Sequence, residues 1–350
     1  MHHSFSHFPR FMQSAGTPYN VGFQVGKHLG PALADYIDAY LLAGPYKRET
    51  FDYGRHQQES LSILHHFPQR YQQELEGIAH GAKIPLKKIA RWVSVEACMA
   101  PLCSGFLLNV NHHLWLGRNN DLWSPHFWGY ARERHVNNRI PVVTFGLAGD
   151  VFTATGINKA GLWLHYNYLK APDMDRKDSS FFPNYCQIVE MLETCETWKD
   201  ISVFLSKTPR QEGMMLFVSD RQNNTHGIFE CTCWDWIERP LDLESPSSFL
   251  IGTNHYTQTP YENAKDPDRK DSVRRYQRLE TLLTPFLAGE KTPHIDALKA
   301  ILADKGVEKS ETQYGTVYAA IYSPHHHVLW YTFGGYPAAS CGNWQTLLPF

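Results

Sequence analysis

The chain is 350 residues long, enough for about two ordinary domains or one large layered domain with an extra segment. Apolar residues make up 43% and charged ones 19%, which permits a sizeable core and excludes disordered and collagen-like classes. Thirty-three Lys and Arg stand against 35 Asp and Glu, a net charge of -2 with no basic stripe, so nucleic acid is not an expected partner.

No run reaches the ~18 apolar residues of a membrane span. The opening Met1-His-His-Ser-Phe-Ser-His-Phe-Pro-Arg lacks the charged-then-apolar order of a signal peptide. Seven cysteines (98, 103, 186, 195, 231, 233 and 341) are an odd number in a long chain. They fit a reduced, cytoplasmic protein better than a disulfide framework.

In chain order, the first predicted element is a helix over 18–42, where Val21, Val25, Leu29, Leu33, Tyr36, Ile37, Tyr40 and Leu41 fall near a 3.6 period. Gly22, Gly26 and Gly30 recur every four residues on one side, a pattern of close backbone packing. A second helical segment covers 57–81 with a break at Pro68, and a third runs from Leu86 to about Ala97. At Cys103 the texture changes to two strands joined by a turn at Asn111-His112. Further strands are expected at 141–147, 151–157 and 162–167, then a polar loop and helices near 183–194 and 197–206. Strands return at 214–219, 227–236 and 248–253. Helices at 272–287 and 294–304 and a hairpin over 315–323 and 327–334 complete the chain. Blocks of strands and blocks of helices, with hairpins inside the blocks, predict a layered α+β fold with antiparallel sheets.

The strongest chemical signal runs from Cys103 to Asp121. A thiol at the start of one strand, followed by a hairpin, brings Arg118 and Asp121 back beside it. A guanidinium there favours thiolate, the nucleophilic form; a carboxylate could hold an ammonium group. Spacing alone leaves open a plain hairpin with a buried Cys and a surface Arg/Asp pair.

Cys103-Ser-Gly-Phe followed by Gly117-Arg-Asn-Asn-Asp121 resembles the start of the mature chain in the choloylglycine hydrolases and the acyl-coenzyme A:6-aminopenicillanate acyltransferases, both N-terminal-nucleophile (Ntn) hydrolases. Glu76-Gly-Ile-Ala-His-Gly81-Ala-Lys-Ile-Pro, Thr155-Gly-Ile-Asn-Lys-Ala-Gly-Leu162, Thr253-Asn-His-Tyr256, Asp271-Ser-Val-Arg-Arg-Tyr276 and Thr316-Val-Tyr with Gly334-Gly-Tyr-Pro337 match in order. The resemblance covers roughly 18–340. It implies a four-layer αββα sandwich over 103–350, preceded by a mostly helical pro-segment, 1–102, that stays packed on it.

The resemblance also implies roles. Cleavage before Cys103 would free an α-amine with a reference pKa of about 7.7–8.0, a base near neutral pH beside the nucleophile. The cleavage itself would be autocatalytic: the Cys103 thiol attacks the Leu102 carbonyl, and the resulting ester hydrolyses. Asp121 matches the carboxylate that holds the α-amine, and Asn254 the amide of the oxyanion hole. Asn167 matches a second polar residue beside that hole, and Arg118 and Arg275 match arginines near the nucleophile, with Arg274 adjoining the latter. The activity implied is hydrolysis or acyl transfer on a small N-acyl amide through a thioester, with acyl-coenzyme A as donor where transfer occurs and no metal or organic cofactor. Leu102 after Pro101 departs from the small residue usual before the nucleophile. That departure supports the rival expectation, an unprocessed member that binds an acyl or peptide ligand.

Other candidates weigh less. Cys98 is a competing nucleophile, but Met-Ala-Pro follows it instead of a strand. Cys231-Thr-Cys233 would place two thiols on one strand face, with no further pair to complete a zinc site. His325-His326-His327 reads as a solvated hairpin tip that could take adventitious metal. Trp234 and Trp236 read as one sheet face. A papain-like Cys103/His255 pair is conceivable, but adjacent strand residues point oppositely and Asn254 matches better. No Gly-rich phosphate loop or dinucleotide fingerprint occurs.

Overall fold

The computed structural model describes residues 7–47, 52–96, 101–174, 183–258, 260, 269–311 and 314–350. A short strand, β1 (Phe11–Gly16), opens the chain and is followed by five helices: α1 (Pro18–Leu29), α2 (Ala32–Ala43), α3 (Tyr53–His65), α4 (Gln69–Ala82) and α5 (Leu86–Glu96). The single helix expected over 18–42 is two, because Gly30 leaves helical geometry at φ 62° and Pro31 follows. Thr17 caps α1, accepting from the Asn20 N–H, and Pro18 occupies the first turn.

Six strands come next: β2 (Leu102–Val110), β3 (His113–Trp123), β4 (Trp128–Val136), β5 (Val142–Leu147), β6 (Thr155–Asn158) and β7 (Leu162–Leu169). Helices α6 (Asn184–Thr194) and α7 (Trp198–Lys207) lead to β8 (Gly213–Asp220), β9 (Thr225–Cys231), β10 (Trp236–Pro240) and β11 (Ser247–Gly252). Helices α8 (Arg269–Leu287) and α9 (Ile295–Leu302) precede β12 (Tyr314–Ser323), β13 (Val328–Phe333), the short α10 (Ala338–Cys341) and β14 (Asn343–Leu347). The strand expected over 151–157 is confined to β6. The one expected over 227–236 ends at Cys231, so Cys233 lies in a turn and Trp236 starts the next strand.

The strands form two sheets. One has eight strands in the order β1-β4-β5-β6-β7-β8-β9-β10; the other has six, β11-β2-β3-β12-β13-β14. Every pairing is antiparallel except β1 with β4, where Phe11 to Gly16 run parallel to Ala131 to Val136. The segment before residue 102 is therefore not only helical: it supplies an edge strand to the larger sheet.

Alternation along β2 and β3 shows the layering. Leu107, Leu114, Leu116 and Leu122 join the core between the sheets. Phe106, Leu108 and Val110 face Leu279, Leu283, Leu298 and Leu302 of α8 and α9. Helices α1 and α4 lie with the larger sheet, and α6 and α7 pack on it too. The order is helix, sheet, sheet, helix, the αββα α+β fold that the resemblance implied.

Helices α1 and α4 pack backbone to backbone. A Cβ on Gly22 would lie 1.9 Å from the Glu74 carbonyl oxygen, and one on Gly26 2.2 Å from that of Ile78. Gly77 and Gly81 meet Tyr19 and Phe23 at 2.2 Å in return. Below this contact, Glu74 accepts from Arg132 Nη2 at 2.6 Å and from Arg134 Nη2 at 2.5 Å, all three side chains buried. Among the described residues, no helix is long and apolar enough to cross a membrane.

Candidate active site

The β2–β3 hairpin sets the frame. Its turn residues Asn111 and His112 both take positive φ, 51° and 61°, the geometry of a two-residue hairpin. The register pairs Cys103 with Asn120, Gly105 with Arg118 and Leu102 with Asp121. Residues of even number on β3 share the face of Cys103, so Arg118 and Asn120 turn toward the layer between the sheets. Asp121 projects from the opposite face, toward the helices. The hairpin thus brings both charges near Cys103, but on different sides of the strand.

Cys103 is fully buried. Arg118 Nη2 donates to its Sγ at 3.2 Å, and the thiol donates to Asn120 Oδ1 at 3.5 Å. The same guanidinium donates to Asn120 Oδ1 and to the Ala154 carbonyl, both at 2.5 Å. Burial pushes the thiol above its ordinary pKa, and the pull of Arg118 only partly offsets it.

The backbone of Cys103 is held from the other side. Its N–H donates to Asn254 Oδ1 at 2.9 Å, and its carbonyl accepts from Arg275 Nη1 at 2.6 Å. Arg275 Nη2 also donates to Asn254 Oδ1 at 2.8 Å, so two donors fix the orientation of that amide. Asn254 Nδ2 donates to Pro101 O at 3.2 Å and to Tyr168 O at 2.8 Å. Arg275 is buried and anchored by Asp271 at 2.9 Å, whereas Arg274 is exposed. Of the two, Arg275 is the one that reaches Cys103.

Asp121 accepts from Thr316 Oγ1 at 2.7 Å, while its Oδ2 has no hydrogen-bond partner among the described residues. Burial raises its pKa to about 7 against the pull of Arg275, Thr316 and Lys309. Asn167 sits at the edge of the cluster, its Nδ2 donating to Gly252 O at 3.0 Å and its Oδ1 unpartnered among the described residues.

His255 is engaged elsewhere: its Nδ1 lies 2.7 Å from Ser272 Oγ and 3.2 Å from Thr253 Oγ1. Burial first, then nearby arginines, lower its pKa to about 4, so the imidazole is neutral and faces away from a papain-like role. Cys98 lies outside the described residues.

Several members of the cluster were not singled out from sequence. Asn120, Asp271, Ser272 and Thr316 lay inside quoted motifs, next to residues that were. Tyr314, whose hydroxyl accepts the Leu102 N–H at 2.6 Å, carried no local signal. The pairing of β12 with β3 brings it there.

Among solved structures, a mutant conjugated bile acid hydrolase from Clostridium perfringens is 12% identical, with a TM-score of 0.43 over 70% of this chain and 96% of that one. A Caenorhabditis elegans ortholog of N-acylethanolamine-hydrolyzing acid amidase is 16% identical, with a TM-score of 0.43 over 63% and 93%. Penicillin V acylase from Agrobacterium tumefaciens is 14% identical, with a TM-score of 0.43 over 69% and 85%. No curated protein matches the sequence. The sequence model of one family matches residues 108–337, a span that begins just after Cys103 and takes in Arg118, Asp121, Asn167, Asn254 and Arg275. The chain belongs to the acyl-coenzyme A:6-aminopenicillanic acid acyl-transferase family.

Proposed function

We propose that this protein is an Ntn cysteine enzyme that cleaves its own Leu102–Cys103 bond and then hydrolyses or transfers the acyl group of a small N-acyl amide. The observation that carries this reading is the enclosure of Cys103: Arg118 on the thiol, Asn254 on the N–H and Arg275 on the carbonyl.

In self-cleavage, Sγ adds to the Leu102 carbonyl carbon and the C–N bond to Cys103 breaks. The nitrogen takes up the proton and becomes the α-amine, and water hydrolyses the Leu102 thioester. Tyr314 and Asn254 hold the Pro101–Leu102 peptide just upstream of the bond, at the Leu102 N–H and the Pro101 carbonyl, and Asn254 Oδ1 holds the Cys103 N–H beyond it.

In turnover, the free α-amine takes the thiol proton and Sγ attacks the substrate carbonyl. The amine then passes the proton to the leaving nitrogen, and the acyl group stays on sulfur as a thioester. Water, or an acceptor amine, releases it. Once cleavage lets the Pro101 carbonyl move off Asn254, one Nδ2 hydrogen is free for the developing oxyanion, a contribution of about 2.7–4 kcal/mol where measured for such donors. Asp121, with Oδ2 open and burial opposing its charge, suits an ammonium partner. Asn167 supplies a further polar group beside the hole. Acyl-coenzyme A is the donor where transfer occurs, and the segment 1–102 stays bound.

Intact-mass analysis with N-terminal sequencing tests the reading. A new chain beginning at Cys103 in the wild type, absent in Cys103→Ala and retained in Cys98→Ala, is expected. An uncleaved, inactive wild type would overturn it. A screen of N-acyl amino acids, penicillins and conjugated bile acids then sorts the acyl and amine preferences.

A further inference from the structure

Two neighbouring hairpin tips bring His113 beside His325 and His326, more than two hundred positions later in the sequence. His113 opens β3, and His325 and His326 lie in the turn between β12 and β13. Strands β3 and β12 pair with Leu116 opposite Tyr322. Continued three residues outward, that register sets position 113 opposite position 325. The rings of His113 and His325 lie 4.1 Å apart, those of His325 and His326 4.8 Å, and those of His113 and His326 6.1 Å.

One ring nitrogen from each of the three falls within 4.8 Å of the others. A tetrahedral zinc ion at about 2.0–2.1 Å from each nitrogen needs separations of about 3.3–3.4 Å. All three side chains are exposed, so small χ rotations close the gap without moving backbone. The frame is fixed meanwhile. Trp115 stacks on Trp330 with centroids 5.9 Å apart and lies 5.9 Å from the His326 ring. Arg221 Nε holds the turn through the Pro324 carbonyl at 3.1 Å.

We propose that His113, His325 and His326 form a binding site for a late first-row divalent metal ion, zinc foremost, with water in the fourth position. An all-imidazole donor set selects zinc, copper or nickel and disfavours magnesium and calcium, which want oxygen. No carboxylate belongs to the cluster. Ring nitrogens without a fixed outer partner give weaker sites than those braced by carboxylates, so affinity in the micromolar range is expected.

His113 and Asn120, the partner of Cys103, are seven positions apart on β3, which is about 23 Å of strand. The ion therefore joins two hairpin tips and takes no part in chemistry at the thiol. The site stands or falls independently of the proposed activity.

Calorimetric titration of the metal-free full chain with zinc chloride tests it, with circular dichroism to check folding of each variant. One saturable event per chain is expected in the wild type and in His327→Ala, with at least a tenfold loss of affinity in His113→Ala and in His325→Ala. Zinc should raise the melting temperature of the wild type but not of the double variant His113→Ala/His325→Ala, and magnesium should do neither. Absence of saturable zinc binding, or equal affinity in that double variant, overturns the proposal.

Discussion

Two buried clusters are built round arginines, and they are wired oppositely. Around Glu74, guanidinium groups meet carboxylates. Arg132 and Arg134 take the two oxygens of Glu74, Arg134 also reaches Glu193 at 3.2 Å, and Arg70 joins Glu193 to Glu190. Burial opposes the charge of Glu190, but Arg70 and Arg139 outweigh it and hold the group below the usual range. Around Cys103, by contrast, Arg118 gives its hydrogens to a thiol, an amide oxygen and a carbonyl, and Arg275 gives two of its own to neutral acceptors. Among the described residues, Asp121, Asn167 and Ser104 each keep an oxygen without a hydrogen-bond partner. A cluster whose charges cancel serves cohesion. One that leaves acceptors unfilled in a buried place has capacity to receive a reacting group.

The contrast can be broken by deletion. Cys103→Ala should abolish cleavage and amide turnover, a loss of more than about a thousandfold or about 4 kcal/mol in the barrier, while leaving the melting temperature nearly unchanged. Glu74→Ala should do the reverse. It leaves the buried Arg132 without a carboxylate and Arg134 with Glu193 alone, and should cost about 3–5 kcal/mol in denaturant unfolding, with kcat per folded molecule preserved. A stable, inactive Glu74→Ala would merge the two clusters into one functional unit.

Gly22→Ala sits above the Glu74 cluster and should lower stability by about 1–3 kcal/mol, because its methyl group meets backbone that cannot rotate aside. The smallest effect belongs to pH. With Asp121 raised to about 7 from an ordinary 3.8, the folded chain binds more protons than the unfolded one between these values. Stability carried by this group is full below about pH 4 and is lost as pH rises through 7. Asp121→Asn should flatten that decline, in unfolding curves taken between pH 4 and 8. Asp150, also raised to about 7 by burial, keeps part of the slope. An unchanged slope would place the carboxylate in a wetter setting.

Much of this was legible in the sequence where the signal was local. The β2–β3 hairpin, the break at Pro68 and the spacing of Gly22 and Gly26 followed from turn chemistry and periodicity. Strand β4 did not, since Arg132 and Arg134 interrupt its apolar alternation; only their burial against Glu74, some sixty residues away, explains them. Strand β1 carries no such signal either: Gln13 and Ser14 interrupt it, and its parallel pairing with β4 is what makes it a strand. At the site, the ordered motifs supplied Cys103, Asn254 and Arg275 as candidates. Tyr314 needed the pairing of β12, and the separation of Arg118 from Asp121 across the strand needed the register.

The parallel pairing of β1 with β4 has a consequence for the order of events during synthesis. Phe11 must wait for Ala131, 120 residues later, before its strand has a neighbour. At about 5–20 residues per second, that is a delay of about 6–24 s. The groups around Cys103 arrive later still, Arg275 and Thr316 being near the end of the chain. Any reaction of the thiol that depends on them can begin only after the partner of the opening strand has been made. The opening strand can thus join the larger sheet before the cleavage proposed at Leu102–Cys103 has all of its groups.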